Sequence, residues 1–140
     1  MKHAVLLCAL LLSTPAWAAE LKTHFIDHSS RALIDAATAK AVMKENIPAR
    51  AWKIYPASKY AFLSQVEGGV NAAGMCVVAA RVMVLPLTAT ARAPLFRPLP
   101  KMTATAYDAI PGASADKCKA LAKEKLKEAT GAVVSSIVKI

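Results

Sequence analysis

The chain has 140 residues, of which 56% are hydrophobic and 19% charged. This composition fills a core and excludes a chain disordered by composition. Eighteen Lys and Arg against nine Asp and Glu give a net charge of +9, and three Cys and three His leave little for a multi-ligand metal site.

Residues 1–18 read as a secretory signal peptide. Lys2 supplies the positive start and Ala4 to Leu12 an apolar run of about nine residues. Pro15 then precedes Ala16-Trp17-Ala18, a small-x-small cleavage site. Cys8 follows Leu7 inside the apolar run, where a lipid-modified Cys would want a small residue before it. Residues 19–140 are expected to form a single exported domain, with a net charge of about +8 once Lys2 is removed. Past the leader, no apolar stretch approaches the roughly 18 residues of a spanning helix, so no transmembrane span is expected in the mature chain. The expected location is the periplasm or outside the cell.

Residues 19–28 have no strong period and read as an extended lead. Ser29 and Ser30 are candidate caps for an Ala-rich helix over 33–45, which contains no Gly or Pro. Asn46-Ile47-Pro48 stops it, because the residue before a proline disfavours the helical region. Residues 49–57 read as a connector, with a short strand at Trp52 to Tyr55. Residues 59–67 alternate as a half-buried strand, with Tyr60, Phe62, Ser64 and Val66 on one side. The glycines from Gly68 to Gly74 read as a loop.

Met75 to Leu85 is the clearest strand. Cys76, Val78, Ala80, Val82 and Val84 make one wholly apolar face, and the other face carries Arg81. Pro86 restricts the far end to an edge or a bulge. Residues 88–92 alternate as a continuation, residues 93–98 form a hairpin tip, and residues 101–108 alternate again. Ser114 is a candidate cap for a last helix, with Asp116 in its first turn. Cys118, Ala122, Leu126, Ala129, Val133, Ile137 and Ile140 fall on one stripe of that helix, and Gly131 is a place where it would bend or fray.

The order α-β-β-β-α predicts an α+β fold: a small two-layer sandwich with an antiparallel sheet and both helices on one face. About three or four alternating segments are too few for an outer-membrane barrel, which needs roughly eight or more. Loss of Cys8 with the leader leaves Cys76 and Cys118 as an even pair in an oxidising compartment. Strand alternation points Cys76 to the apolar face and helical spacing points Cys118 to the apolar stripe, so both thiols enter the same layer. A bridge would close a loop of about 43 residues and contribute roughly 4 kcal/mol by the chain-entropy estimate.

The residues that could carry chemistry are few. His24 and His28 share a helical spacing beside Asp27, but a third ligand and a His-Glu-x-x-His pattern are missing. No Gly-x-Ser-x-Gly elbow and no phosphate-cradling glycine motif occurs. No catalytic residue, metal or cofactor is therefore expected. Two surfaces are candidates for binding. Lys117, Lys119, Lys123 and Lys127 crowd the last helix as an anion face, for which an ordinary solvated surface is the plainer account. Arg92, Leu95, Phe96 and Arg97 form a proline-stiffened contact tip, unless it folds back on its own domain.

The leading expectation is a small exported, disulfide-stabilised, non-catalytic binding or accessory protein of the bacterial cell envelope. Its partner is an unspecified envelope protein or an anionic surface, and not nucleic acid, given the compartment. One alternative is a basic protein that binds anionic surfaces such as lipid headgroups or lipopolysaccharide. A second is a small hydrolase using His24 or His28.

Overall fold

A computed structural model describes residues 21–88 and 99–139. The chain runs β1 (Phe25–Asp27), α1 (Ala36–Asn46), α2 (Ala49–Ile54), β2 (Tyr60–Val70), β3 (Met75–Pro86), β4 (Met102–Pro111) and α3 (Ala115–Val138). Among the described residues this is an α+β fold with three helices and one four-stranded sheet in the order β1-β2-β3-β4.

The alternation of β3 organises the sheet. Cys76, Val78, Ala80, Val82 and Val84 are all fully buried, while Met75, Val77, Ala79 and Arg81 face out. Antiparallel pairing aligns Phe62 with Val84, Ser64 with Val82 and Val66 with Ala80, so the inward residues of β2 join the same face. Met102, Ala104, Ala106 and Ile110 of β4 line up opposite Val84, Val82, Ala80 and Cys76. Against this face lies the stripe of α3, with Cys118, Ala122, Leu126, Ala129, Val133 and Ile137 buried in one core with it. Ser114 caps α3 by accepting from the Lys117 amide at 3.3 Å, with Asp116 in the first turn, as its sequence implies. The helix runs unbroken through Gly131. Buried Thr130 donates its hydroxyl to the Leu126 carbonyl at 2.7 Å, which satisfies it without a partner outside the helix.

The sheet is mixed, not wholly antiparallel. β1 pairs parallel to β2, Phe25 opposite Phe62 and Asp27 opposite Ser64. The chain between them crosses over through α1 and α2, and a helical crossover returns the chain in the same direction. A three-residue strand is too short to show a period, so this region reads as a featureless lead in the sequence. Residues 49–54 form a helix where a connector and short strand were expected. The helical turn places Ala51 and Trp52 inward together, and Trp52 stacks edge-on with Phe25 and Phe62 at centroid distances of 5.4 and 4.8 Å.

The cap of α1 is Asp35, not Ser29 or Ser30. Its carboxylate accepts from the Thr38 amide at 2.9 Å and from the Thr38 hydroxyl at 2.6 Å. Ser29 is occupied elsewhere: its hydroxyl accepts from the Val66 amide at 3.0 Å and donates to Asp27 at 2.6 Å. The Ser30 carbonyl closes a turn by accepting from Leu33 and Ile34.

β2 also runs through Gly68 and Gly69 to Val70, past the expected loop start. Gly68 has φ +129°, and a Cβ there would overlap the Val77 carbonyl. Ladder pairing therefore overrides the turn signal of these glycines, because both strands can approach where no side chain intervenes.

Cys76 and Cys118 are joined, with Cα atoms 5.6 Å apart, inside the usual range for a bridge. Reduction, or Cys76→Ser with Cys118→Ser, is expected to lower the melting temperature by about 10–15 °C. An unchanged midpoint by calorimetry would show the bridge to be idle. Gly68→Ala is expected to cost about 1–3 kcal/mol through backbone strain alone, read from urea unfolding. A loss within error of zero would contradict the close approach to Val77.

Candidate functional site

The lysines of α3 divide by helical spacing. Lys119, Lys123 and Lys127 recur every four residues and share one flank, while Lys117 lies two positions from Lys119 and points elsewhere. All four are exposed. Lys125 is different, with only 11% of its side chain exposed. Its ammonium lies 2.8 Å from Glu128, 3.6 Å from Glu124 and 3.7 Å from Asp108 of β4. The Glu128 hydrogen bond chiefly holds Lys125 above the ordinary lysine range, and burial opposes it. Among the described residues, every ion pair belongs to Lys125. Glu124 and Glu128 of α3 and Asp108 of β4 thus gather around one lysine, and Lys119 and Lys123 have no carboxylate within ion-pair distance among the described residues.

That flank forms one wall of a groove of about 340 Å³. The opposite wall is the turn before α1. Arg31 stands on that turn, Leu33 and Ile34 are buried beneath it, and Asp35 and Thr38 close the end. Lys119, Ala120 and Lys123 complete the lining. Three cations therefore converge from parts of the chain nearly 90 positions apart. Sequence reading places Lys119 and Lys123 in a basic face but misses Arg31, because only packing of α1 on α3 brings it there. Asp35 offsets one of these three charges, because its carboxylate stays ionised while it accepts from Thr38, and the lining keeps a cationic excess.

The two histidines are set apart. They flank β1, so the chain between them is extended and the one-turn helical spacing expected of the pair is not formed. His24 lines a separate hollow of about 350 Å³ with Lys22, Thr23, Ala57 and Ser58, while His28 is exposed. Asp27 Oδ1 accepts from the Ser29 hydroxyl and from the buried Ser64 hydroxyl at 2.7 Å. These serines donate straight to the carboxylate, and the Ser64 contact joins β1 to β2. On the outer sheet face, Gln65, Glu67, Ala79, Arg81 and Thr105 surround a shallow hollow of only about 70 Å³. Toward Pro86, Ala61, Leu63, Leu85 and Leu87 are buried. Arg92, Leu95, Phe96 and Arg97 lie outside the described residues, as do residues 1–18 and Ile140.

Neither a scan of family models nor a search of curated proteins finds a match to the chain. The reading of its function therefore rests on its own residues.

Asp35 offers a check on the groove's end wall. The Thr38 hydroxyl, then the Thr38 amide, hold its carboxyl below the ordinary range. Folding lowers this pKa, so the carboxylate stabilises the fold above the ordinary value near 3.9, and the contribution fades as pH falls through the depressed value. Asp35→Ala is expected to lower the melting temperature at neutral pH, with the gap to the parent protein closing in strong acid. An equal gap at both pH values would show that the charge of Asp35 contributes nothing.

Proposed function

We propose that the chain is an exported, non-catalytic binding or accessory protein of the bacterial cell envelope, with its helices layered over the Cys76 face of the sheet. The observation that carries this is the bridge between Cys76 and Cys118. It joins the central strand to the longest helix inside the core, and such structural bridges persist in oxidising compartments. The leader-like residues 1–18 agree with it independently. Among the described residues no helix is long and apolar enough to cross a membrane. The separation of His24 from His28, and the direct serine–carboxylate contacts of Asp27, favour binding over hydrolysis.

A second reading, binding to an anionic surface, is favoured by one observation. Glu124, Glu128 and Asp108 collect on Lys125, while Arg31, Lys119 and Lys123 line one groove. Lipid headgroups and lipopolysaccharide are the envelope anions that would meet such a surface.

Export is tested by expressing the full chain in a bacterial host and measuring the intact mass of the material released from the periplasm. The expected mass begins at Ala19 and is two hydrogens lighter than the reduced form. Retention of Met1 to Ala18, or two alkylatable thiols in that fraction, would overturn the reading.

A further inference from the structure

The groove between the Arg31 turn and α3 has features that a merely solvated basic face does not need. Lysines on an exposed helix ordinarily spread their charges into water. Here Arg31, Lys119 and Lys123 border one concavity, and its floor is apolar, formed by buried Leu33 and Ile34 with Ala120. At about 340 Å³ it falls at the lower end of small-molecule sites. A bare oxyanion would engage the cations and make no use of the apolar part of the lining.

We infer that this groove binds a phosphate-type oxyanion carried on a short apolar stem. The inference rests on the anionic-surface reading and narrows it to one site. Arg31 supplies a planar fork that matches two phosphate oxygens, and Lys119 and Lys123 supply point charges from the facing wall. The stem lies along the apolar lining, and the removal of its own methylenes from water adds affinity. Asp35 is the one carboxylate of the lining. It lies within ion-pair distance of none of the three cations, which leaves them available to the oxyanion with a net positive charge. Nothing covalent is required. The oxyanion is recognised the same way whether it belongs to a soluble phosphoester or to a lipid headgroup.

The test is calorimetric titration of the oxidised exported protein at low salt with n-hexyl phosphate, inorganic phosphate and hexanol. Each buried methylene adds about fourfold in affinity, so hexyl phosphate is expected to bind at least about tenfold more tightly than inorganic phosphate. Hexanol is expected to show no saturable binding. Arg31→Gln with Lys123→Gln is expected to weaken hexyl phosphate by about tenfold or more and to leave the melting temperature unchanged. Lys117→Gln with Lys127→Gln removes the same charge from outside the groove lining and is expected to change binding by less than about twofold.

Equal losses from the two double variants would mean diffuse surface charge and would overturn the site. Equal affinity for hexyl phosphate and inorganic phosphate would overturn the apolar stem. Absence of saturable hexyl phosphate binding would overturn the inference whether or not the chain is exported, because the mass measurement decides export alone. Phosphatidylcholine vesicles with and without phosphatidylglycerol distinguish the source. Binding to the anionic vesicles that Arg31→Gln with Lys123→Gln abolishes supports a lipid headgroup. Vesicle binding indifferent to those changes, with hexyl phosphate binding lost, supports a soluble phosphoester.

Discussion

The contact of α3 with the inner face of β3 is the interaction on which the remaining structure depends. Both surfaces are apolar at the period their own element requires, two for the strand and 3.6 for the helix. Small residues help them approach: Ala80 and Ala106 on the sheet meet a stripe that includes Ala122 and Ala129. The larger Phe62, Leu126, Val133 and Ile137 fill the spaces between. The disulfide ties the first turn of α3 to the start of β3, so the helix is anchored at one end and packed along its length. With that layer in place, α1 and α2 have a surface to pack against, and the turn carrying Arg31 acquires a facing wall.

Lys125 shapes the electrostatics of the molecule from within this contact. It occupies the β4 side of α3 and draws Glu124, Glu128 and Asp108 toward itself. The Glu128 pair is a part-buried i,i+3 contact of modest value. Its consequence lies in charge distribution. Glu124 and Glu128 are held by Lys125, so the flank of α3 toward α1 presents Lys119 and Lys123, and Asp35 offsets only part of the charge that they and Arg31 bring. A basic net charge becomes a localised one by this route, and a localised charge is what recognition of an anion needs.

The N-terminal part of the described chain is held by polar as well as apolar contacts. Asp27, Ser29 and Ser64 share hydrogen bonds at the join of β1 and β2, and the fully buried Ser64 is satisfied there. Trp52, between Phe25 and Phe62, adds the aromatic packing that fixes α2 beside them. A short parallel strand depends on such support, since three residues of ladder have little cooperativity of their own.

The sequence by itself determined the elements whose signal is local and long. The alternation of β3, the stripe and serine cap of α3, the stop at Pro48 and the inward direction of both bridging cysteines were all legible, because each repeats or sits at a fixed offset within its own element. Tertiary structure alone decided the rest. Three residues of β1 show no period, and their parallel pairing arises from a crossover through two helices. Gly68 and Gly69 carry a turn signal that the β3 ladder overrides. Trp52 to Tyr55 resemble a strand by composition, but the chain is helical through Ile54 and the turn buries Trp52 against Phe25 and Phe62. Arg31 has no partner near it in sequence and reaches Lys119 and Lys123 only when α1 packs on α3. Periodicity records which face of an element is buried, whereas the assembly of a site from distant turns depends on which buried faces meet.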